Sequence, residues 1–567
     1  MQQPRLSDQP ILTRASRAAM TTMLDAHTLT QPDERTALVY LSVEQPPITV
    51  TRDDFRQTVY GCGAALRGLG VREGDLVIVA HTQNLESIYL FWGALILGAI
   101  PAMFPTLTEK LDPDLYMANL AELVRFSDVR CVLTTDAFAP VLAERVACPV
   151  YGSAALGNTT PLHDAIQPDP EQIAFLQHSS GTTGLQKGVA LSHRALLNQI
   201  ASYSDAIALS EHDVIVSWLP LYHDMGLIAG FLLPLIQGIP LILMSPFEWA
   251  KSPAMLFRAI STYGGTLCWL PNFAYNHCAR RIRQRDLDGL SAATMRMFIN
   301  CSEPVYHESH TLFAERFAGI GVNPSMLAVS YAMAENTFAV TQTAPGSPPA
   351  LDVIDQEALA HTLTAQPVPA DHPNASIRVS CGRPIPNAAC RAVDDFGAVL
   401  PDRQVGELVV QSNSMLTGYY KRPDLQPFRD GWYLTGDRGY TVEGEVYIVG
   451  RSKDLIINAG KNVYPQDVEA VVNTVAGVHP GRAVVFGVPD AREGTELIAV
   501  VAEVNDPDPE SQKAISQQIR QRVAQHTTVT VSYVTLVEAG WLIKTSSGKI
   551  ARAANRSKWL AGRGETA

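Results

Sequence analysis

Short apolar runs alternate with longer, helix-like stretches through the first two-thirds of the chain. Residues 75–80 (DLVIVA) predict a buried strand, 84–100 a helix, 101–104 the next strand, 129–133 a further strand and a helix from Ala137 onward. Strands and helices in this alternation predict an α/β sheet with helices on both faces. Residues 226–244 are almost wholly apolar but contain Pro234, Gln237, Gly238 and Pro240. A spanning helix needs about 20 predominantly apolar residues, so a buried helix, a turn at 238–240 and a buried strand over 241–244 is the better account. The apolar run 89–104 is too short to span, and no integral membrane segment is expected.

The texture changes after residue 389. Short strands and turns over 389–450 predict a β-rich subdomain, and the charged turn 451–454 marks a boundary after Gly450. Beyond it the pattern reads strand (455–458), helix (465–475), two strands (483–488 and 497–504) and helix (510–525), a self-contained α+β unit over 451–567. Residues 344–373 hold six prolines, at 345, 348, 349, 367, 369 and 373, and read as an inserted loop with one short helix near 355–362.

Composition narrows the class. The chain has 567 residues, 46% of them hydrophobic, enough for a sizeable core, and this content excludes a disordered chain. Lys plus Arg is 44 against 56 Asp plus Glu, a net charge of −12, which argues against a general nucleic-acid or anionic-membrane partner. The eight cysteines form no C-x-x-C pair, so a zinc or iron–sulfur site is not expected and reduced thiols in a cytoplasmic protein are. The first 20 residues lack an uninterrupted apolar core of a secretory signal, and the C-terminal GRGETA carries no lipidation motif.

Chemistry concentrates first in SSGTTGLQKG at 179–188, after a short apolar strand. Glycines let backbone approach a ligand, hydroxyls and free N–H groups bond phosphate oxygens, and Lys187 supplies countercharge. Ser179, Ser180, Gly181, Thr182, Thr183, Gly184 and Lys187 thus read as an anion cradle for a nucleotide triphosphate. The spacing does not match a G-x-x-x-x-G-K-[ST] loop.

This loop resembles the signature of the adenylate-forming superfamily, which includes acyl-CoA synthetases, peptide-synthetase adenylation domains and luciferases. Gln186 stands where that family usually has proline. Four further segments resemble its motifs in order. Ser330–Glu335 resembles Y-G-x-T-E, which implies that Tyr331 stacks on adenine, with Ala332, Met333 and Ala334 beside it, and that Glu335 holds magnesium. Residues 433–437 resemble Y-x-T-G-D, which implies that Asp437 accepts hydrogen bonds from the ribose hydroxyls. Residues 450–454 resemble the hinge motif, placing Arg451 near ribose or phosphate and Lys453 at the pivot. Residues 544–549 resemble P-K-T-x-S-G-K with Ile543 in place of proline, and Lys549 matches the lysine on the carboxylate and α-phosphate.

Residues 217–228, 271–275, 300–304 and the Ala334-Glu335 ending look like the fatty acyl-AMP ligase branch, and 344–373 lies where that branch carries an insertion linked to poor use of free coenzyme A. Within 217–228, His223 reads either as a neighbour of the acyl carboxylate or as a satisfied core histidine, and Asp224 as its orienting partner or as a helix cap. The resemblance implies the adenylate-forming fold, α/β and α+β: a large domain over 1–450, made of two α/β lobes and a β-rich subdomain, and a small mobile cap over 451–567. It implies an enzyme that uses ATP and Mg2+ to turn a fatty or related carboxylic acid into an acyl-adenylate and pyrophosphate. The acyl group then passes to the phosphopantetheine thiol of an acyl carrier protein, as in polyketide or lipopeptide biosynthesis. Ser302, Glu303 and Pro304 frame adenine with Tyr331 in this scheme, and Lys549, Glu335 and His223 serve the reaction. An acyl-CoA synthetase using free coenzyme A, an aryl- or amino-acid-activating ligase and a non-catalytic adenylate-binding protein stand as alternatives.

Overall fold

The computed structural model describes residues 19–107, 113–157, 159–178, 187–490, 492, 494–506, 508–545 and 548–563. Two large sheets form the first lobes. In one, the strands run Gly418–Tyr419, Gly188–Ser192, Ile173–His178, Ile100–Met103, Leu76–Val79, Val129–Leu133 and Val150–Tyr151. The four central strands of that order, from Ile173–His178 to Val129–Leu133, are parallel. The helix Leu85–Ile96 connects two of them and, after Glu86 and Ser87 in its first turn, is apolar on every face because it is largely buried. Asn84 starts it by accepting the Ser87 N–H at 3.0 Å. It stops short of the 84–100 span expected from hydrophobicity, because Gly98 turns at φ +70° and Ile100 is already in the next strand.

The second sheet has nine strands, and six neighbours in it are parallel: Leu327–Ala332, Met297–Cys301, Leu267–Leu270, Ile215–Ser217, Leu241–Met244 and Thr36–Leu41. The chain goes from Ile215–Ser217 outward to Leu241–Met244, then crosses back to Leu267–Leu270 on the other side. The strand order therefore reverses beside Ile215–Ser217, and such a switch point opens a crevice at the carboxyl ends of the strands. The 226–244 stretch builds this crossing as expected: a helix from Met225, wound as a π-helix to Leu232 and α-helical over Leu233–Gln237, ended by Gly238 at φ +74° before the strand Leu241–Met244. A side chain at Gly226 would place its Cβ 2.1 Å from the Pro220 carbonyl oxygen, so the helix can approach the preceding loop only with glycine there.

A five-stranded antiparallel sheet occupies 388–451, the β-rich region anticipated from the sequence. The proline-rich stretch is more ordered than a loop. The strands Leu351–Asp355 and Ala375–Val379 pair in register and flank the helix Gln356–Thr362. Alternation does this: Asp352 and Ile354 face inward while Leu351 is exposed, and the prolines at 369 and 373 lie in the connection, with Pro367 bridging Ile354 at the outer edge of the pair.

The last region has its own apolar cluster, including Val468, Val472, Val485, Val500, Ile519 and Val523. The strands Val478–Asp490, Thr495–Val504 and Tyr533–Val537 form its sheet, with the helices Pro465–Val472 and Pro509–His526 packed beside them. Sequence patterning missed the strand Tyr533–Val537, whose residues are all half-buried and give no clean alternation, and the amphipathic helix Arg552–Gly562. No helix among the described residues is long and apolar enough to cross a membrane. All eight cysteines are free.

Candidate active site

The segments leaving the carboxyl ends of four parallel strands line the crevice. After Ile215–Ser217 come His223 and Asp224; after Leu267–Leu270, Asn272 and Phe273; after Met297–Cys301, Ser302, Glu303 and Pro304; after Leu327–Ala332, Met333, Ala334 and Glu335. Ser302 turns the chain at φ +71° immediately after its strand. Tyr331 is 7% exposed at the end of the fourth strand, and its hydroxyl donates to Asp437 Oδ2 at 2.6 Å. Arg451 Nε donates to the other oxygen of Asp437 at 3.2 Å. Asp437 and Arg451 are direct partners across the antiparallel strands Trp432–Val442 and Glu445–Arg451, which is why residues 14 apart meet. The carboxylate of Asp437 raises the Arg451 guanidinium above its ordinary value, with burial opposing.

A second group surrounds Glu335. Its Oε1 accepts the Tyr419 hydroxyl at 3.0 Å, and that hydroxyl lies 3.1 Å from the Tyr433 hydroxyl. Burial, then the Glu335 charge, drive both phenols far above their usual range. The Lys187 ammonium sits 4.9 Å from the centre of the Tyr419 ring. It arrives there because the strand that Lys187 precedes pairs with Gly418–Tyr419. Partial desolvation, then the Arg451 charge, lower the pKa of Lys453, and Lys187 acts on it in the same sense. Three cations thus share the space beside Glu335 and Asp437. Ser179, Ser180, Gly181, Thr182, Thr183 and Gly184 lie outside the described residues.

A third group stands where Lys549 comes in. The described residues on either side of 546–547 pair with one another: Lys544 bridges Ile550, the Thr545 N–H donates to the Lys549 carbonyl at 2.8 Å, and Gly548 takes φ +86°. Arg552 fixes this turn to the rest of the cap, with Nη1 on Asp454 at 2.7 Å and Nη2 on Glu469 at 2.8 Å. The Lys549 charge reaches Asp224, Cys301 and Glu303, residues of the large body. Burial raises the Asp224 carboxyl, but His223, Lys549 and the Met225 N–H outweigh it and hold the group below its ordinary value. Asp224 caps the helix by accepting the Met225 N–H at 2.8 Å, and its Oδ1 lies 2.6 Å from His223 Nδ1. Burial raises Glu303, against the pull of the Phe273 N–H and the two lysines at 544 and 549.

Three side-chain roles escape the sequence. Motif resemblance places Glu303 in the frame around adenine and gives its side chain no further role, yet its Oε2 accepts the Phe273 N–H at 2.9 Å. Tyr419 has no local signal, being a tyrosine in a turn-rich stretch. Arg552 follows the last motif with nothing to mark it, and its partners lie 83 and 98 positions away.

This geometry agrees with comparison to known proteins. AMP-binding enzymes match residues 24–420, and the AMP-binding enzyme C-terminal domain matches 467–549. The chain belongs to the AMP-binding enzyme family. Over 527 residues it is 34% identical to the medium-chain-fatty-acid–acyl-carrier-protein ligase JamA of Moorena producens, covering 87% of each chain. It is 29% identical to the long-chain-fatty-acid–AMP ligase FadD26 of Mycobacterium marinum, covering 85% of this chain and 86% of that one. A solved structure from work on the fatty acyl-adenylate ligases of E. coli and L. pneumophila superposes with a TM-score of 0.90 at 26% identity, over 98% of this chain and all of the other. The adenylate-forming fold, with its large domain and C-terminal domain, is therefore the fold of this enzyme.

Proposed function

We propose that this enzyme activates a fatty acid with ATP as an acyl-adenylate, releases pyrophosphate and passes the acyl group to the phosphopantetheine thiol of an acyl carrier protein. The observation that carries the reading is that Lys549, from the C-terminal region, lies within electrostatic reach of Asp224 and Glu303 at the switch-point crevice, while the Tyr331–Asp437–Arg451 set is hydrogen-bonded together. JamA and FadD26 support the fatty acid, and JamA the carrier protein, as the partners.

Carboxylate attack on the α-phosphorus joins two anions, so catalysis rests on positioning and charge neutralisation. Asp437 and Arg451 hold the ribose, Tyr331 and the 302–304 backbone frame the adenine, and Lys187 with the 179–184 loop takes the outer phosphates. Lys549 screens the attacking and α-phosphate oxygens. Asp224, with His223 beside it, offers Lys549 a countercharge at the carboxylate end. The stacked Trp218 and Trp249, 3.5 Å apart, and the Phe273 ring against both offer an apolar wall for an acyl chain. In this reading the large and small bodies divide between Gly450 and Arg451, and rotation about Lys453 withdraws Lys549 to admit the thiol.

Glu335 fits magnesium. Its half-buried carboxylate has hydroxyls around it, a hard-oxygen environment, and no cluster of three or more His, Cys, Asp or Glu forms a metal centre among the described residues. One carboxylate plus substrate phosphates is how magnesium is commonly held. Bound there, the ion neutralises phosphate charge.

ATP–pyrophosphate exchange with a panel of carboxylic acids tests the first step, and thioester formation with a phosphopantetheinylated carrier protein against free coenzyme A tests the second. Exchange driven by medium- or long-chain fatty acids and preference for the carrier protein are the expected results. Exchange driven only by amino or aryl acids overturns the reading.

A further inference from the structure

The helix Asn272–Arg281 has two unlike faces. Ala274, Tyr275, Cys278 and Ala279 are buried. Phe273, His277, Arg280 and Arg281 stand at i, i+4, i+7 and i+8, along a single opposite stripe. Phe273 is 44% exposed, and both arginines are exposed. The neighbouring helix Pro246–Lys251 repeats the arrangement over one turn, with Phe247 41% exposed and Lys251 exposed four residues on. The two helices touch: a His277 ring nitrogen lies 3.1 Å from the Ala250 carbonyl, and the Trp249 ring packs on Phe273 and His277.

On the helix Asn272–Arg281 the exposed Phe273 ring is at one end and Arg280 and Arg281 are at the other, and the touching helix adds the exposed Phe247 and Lys251. Arg283 and Arg285 come directly after, and only Arg283 pairs with a carboxylate, Asp286 at 3.0 Å. Among the described residues no carboxylate lies within ion-pair distance of Lys251, Arg280, Arg281 or Arg285; Glu248 is turned away, accepting from the Ser42 hydroxyl at 2.8 Å. In a chain of net charge −12 this is a local reversal of sign. The phenyl end is also the end at the crevice, because the Phe273 N–H donates to Glu303. Arg281 lies eight residues on, about 12 Å at 1.5 Å per residue.

We propose that this stripe is the docking surface for the acyl carrier protein. An acidic helix of the carrier lies across Lys251, Arg280 and Arg281 and packs on Phe247 and Phe273, and its thiol arm enters beside Phe273 toward the carboxylate end of the crevice. The inference rests on the carrier protein being the acceptor. Exposed aromatics beside arginines have the composition of an interface hot spot, and the cations set encounter rate and partner choice. A membrane surface fits less well, because the Phe273 ring is held edge-on against Trp218 and Trp249, at 6.1 and 6.2 Å, and is not free to insert.

The full-length enzyme with Arg280→Glu and Arg281→Glu together tests this, beside the milder Arg280→Gln/Arg281→Gln pair. The carrier KM, measured with an acidic phosphopantetheinylated acyl carrier protein, is expected to rise tenfold or more in the first and about threefold in the second. Acid-dependent ATP–pyrophosphate exchange stays within about twofold of the parent, and the carrier kcat/KM loses much of its salt dependence. An unchanged carrier KM in both pairs overturns the proposal. So does binding of the parent to phosphatidylglycerol vesicles that both pairs lose while the carrier KM holds. A parent enzyme that acylates free coenzyme A and no carrier protein overturns the acceptor reading itself, and that result is visible before any variant is made.

Discussion

Arg378 and Asp467 form a two-pronged ion pair, each terminal guanidinium nitrogen 2.9 Å from its own carboxylate oxygen, between the strand Ala375–Val379 and the first turn of the helix Pro465–Val472. The side chains are 12% and 15% exposed, so the pair is largely out of water. Asn462 donates to the Ala360 carbonyl at 3.0 Å and the Tyr306 hydroxyl to the Gln466 carbonyl at 3.4 Å along the same seam. These contacts hold the C-terminal region where the Lys549 charge reaches Asp224 and Glu303.

Removing one partner of a buried pair strands the other charge, at about 3 kcal/mol or more. Arg378→Met is therefore expected to slow adenylation about tenfold or more by loosening the cap, while acyl transfer from a supplied acyl-adenylate is largely kept. The double variant Arg378→Met/Asp467→Leu restores stability because neither charge remains. A double-mutant cycle on thermal unfolding that shows additive effects contradicts the coupling.

Lys549→Ala is expected to reduce acid-dependent ATP–pyrophosphate exchange by about 10²–10³-fold, the scale of losing one electrostatic stabiliser of a transition state. The turn that carries Lys549 is held by backbone bonds and by Arg552, so the far-UV spectrum and unfolding temperature stay near those of the parent. Near-normal exchange removes Lys549 from the mechanism.

Asp437→Ala is expected to weaken ATP binding about ten- to hundredfold, the cost of a lost bond to a charged acceptor. Tyr331→Phe is expected to cost only several-fold, since Arg451 still orients the carboxylate at 3.2 Å. Equilibrium binding of ATP checks both, and equal losses in the two variants shift the main role from Asp437 to Tyr331.

Much of the fold is legible in the sequence because its signals are local. The helix Leu85–Ile96 and the strand Val129–Leu133 are readable from a dozen residues of hydrophobic pattern. The proline-rich stretch is harder: its prolines suggest a loop, whereas the paired strands around it depend on Leu351 meeting Val379, 28 positions on. The site divides the same way. Lys187, Tyr331, Asp437 and Lys549 carry motif signals, but Tyr331 and Asp437 are 106 positions apart and only the fold makes them one group. The charge balance of Asp224 and Glu303 depends on a lysine more than 200 residues away, so no window of sequence contains it.

Four buried histidines give the protein an acid-side weakness. His27, His178, His193 and His310 all have pKa values lowered from 6.5 to about 4, with burial the largest cause in each. Two of them use a bare ring nitrogen: His193 Nδ1 accepts the Met23 N–H at 3.2 Å and His310 Nε2 accepts from Asn300 at 3.0 Å. Protonation removes those acceptors. Because the folded values lie below the unfolded one, the stabilisation is full above pH 6.5 and is lost as pH falls from 6.5 through 4. Linkage puts the loss at about 2 kcal/mol per histidine by pH 5. The urea midpoint is expected to fall sharply between pH 7 and pH 5. The His193→Gln/His310→Gln variant, which keeps an acceptor but cannot protonate there, is expected to show a clearly shallower fall. Equal slopes for variant and parent assign the acid sensitivity to other groups.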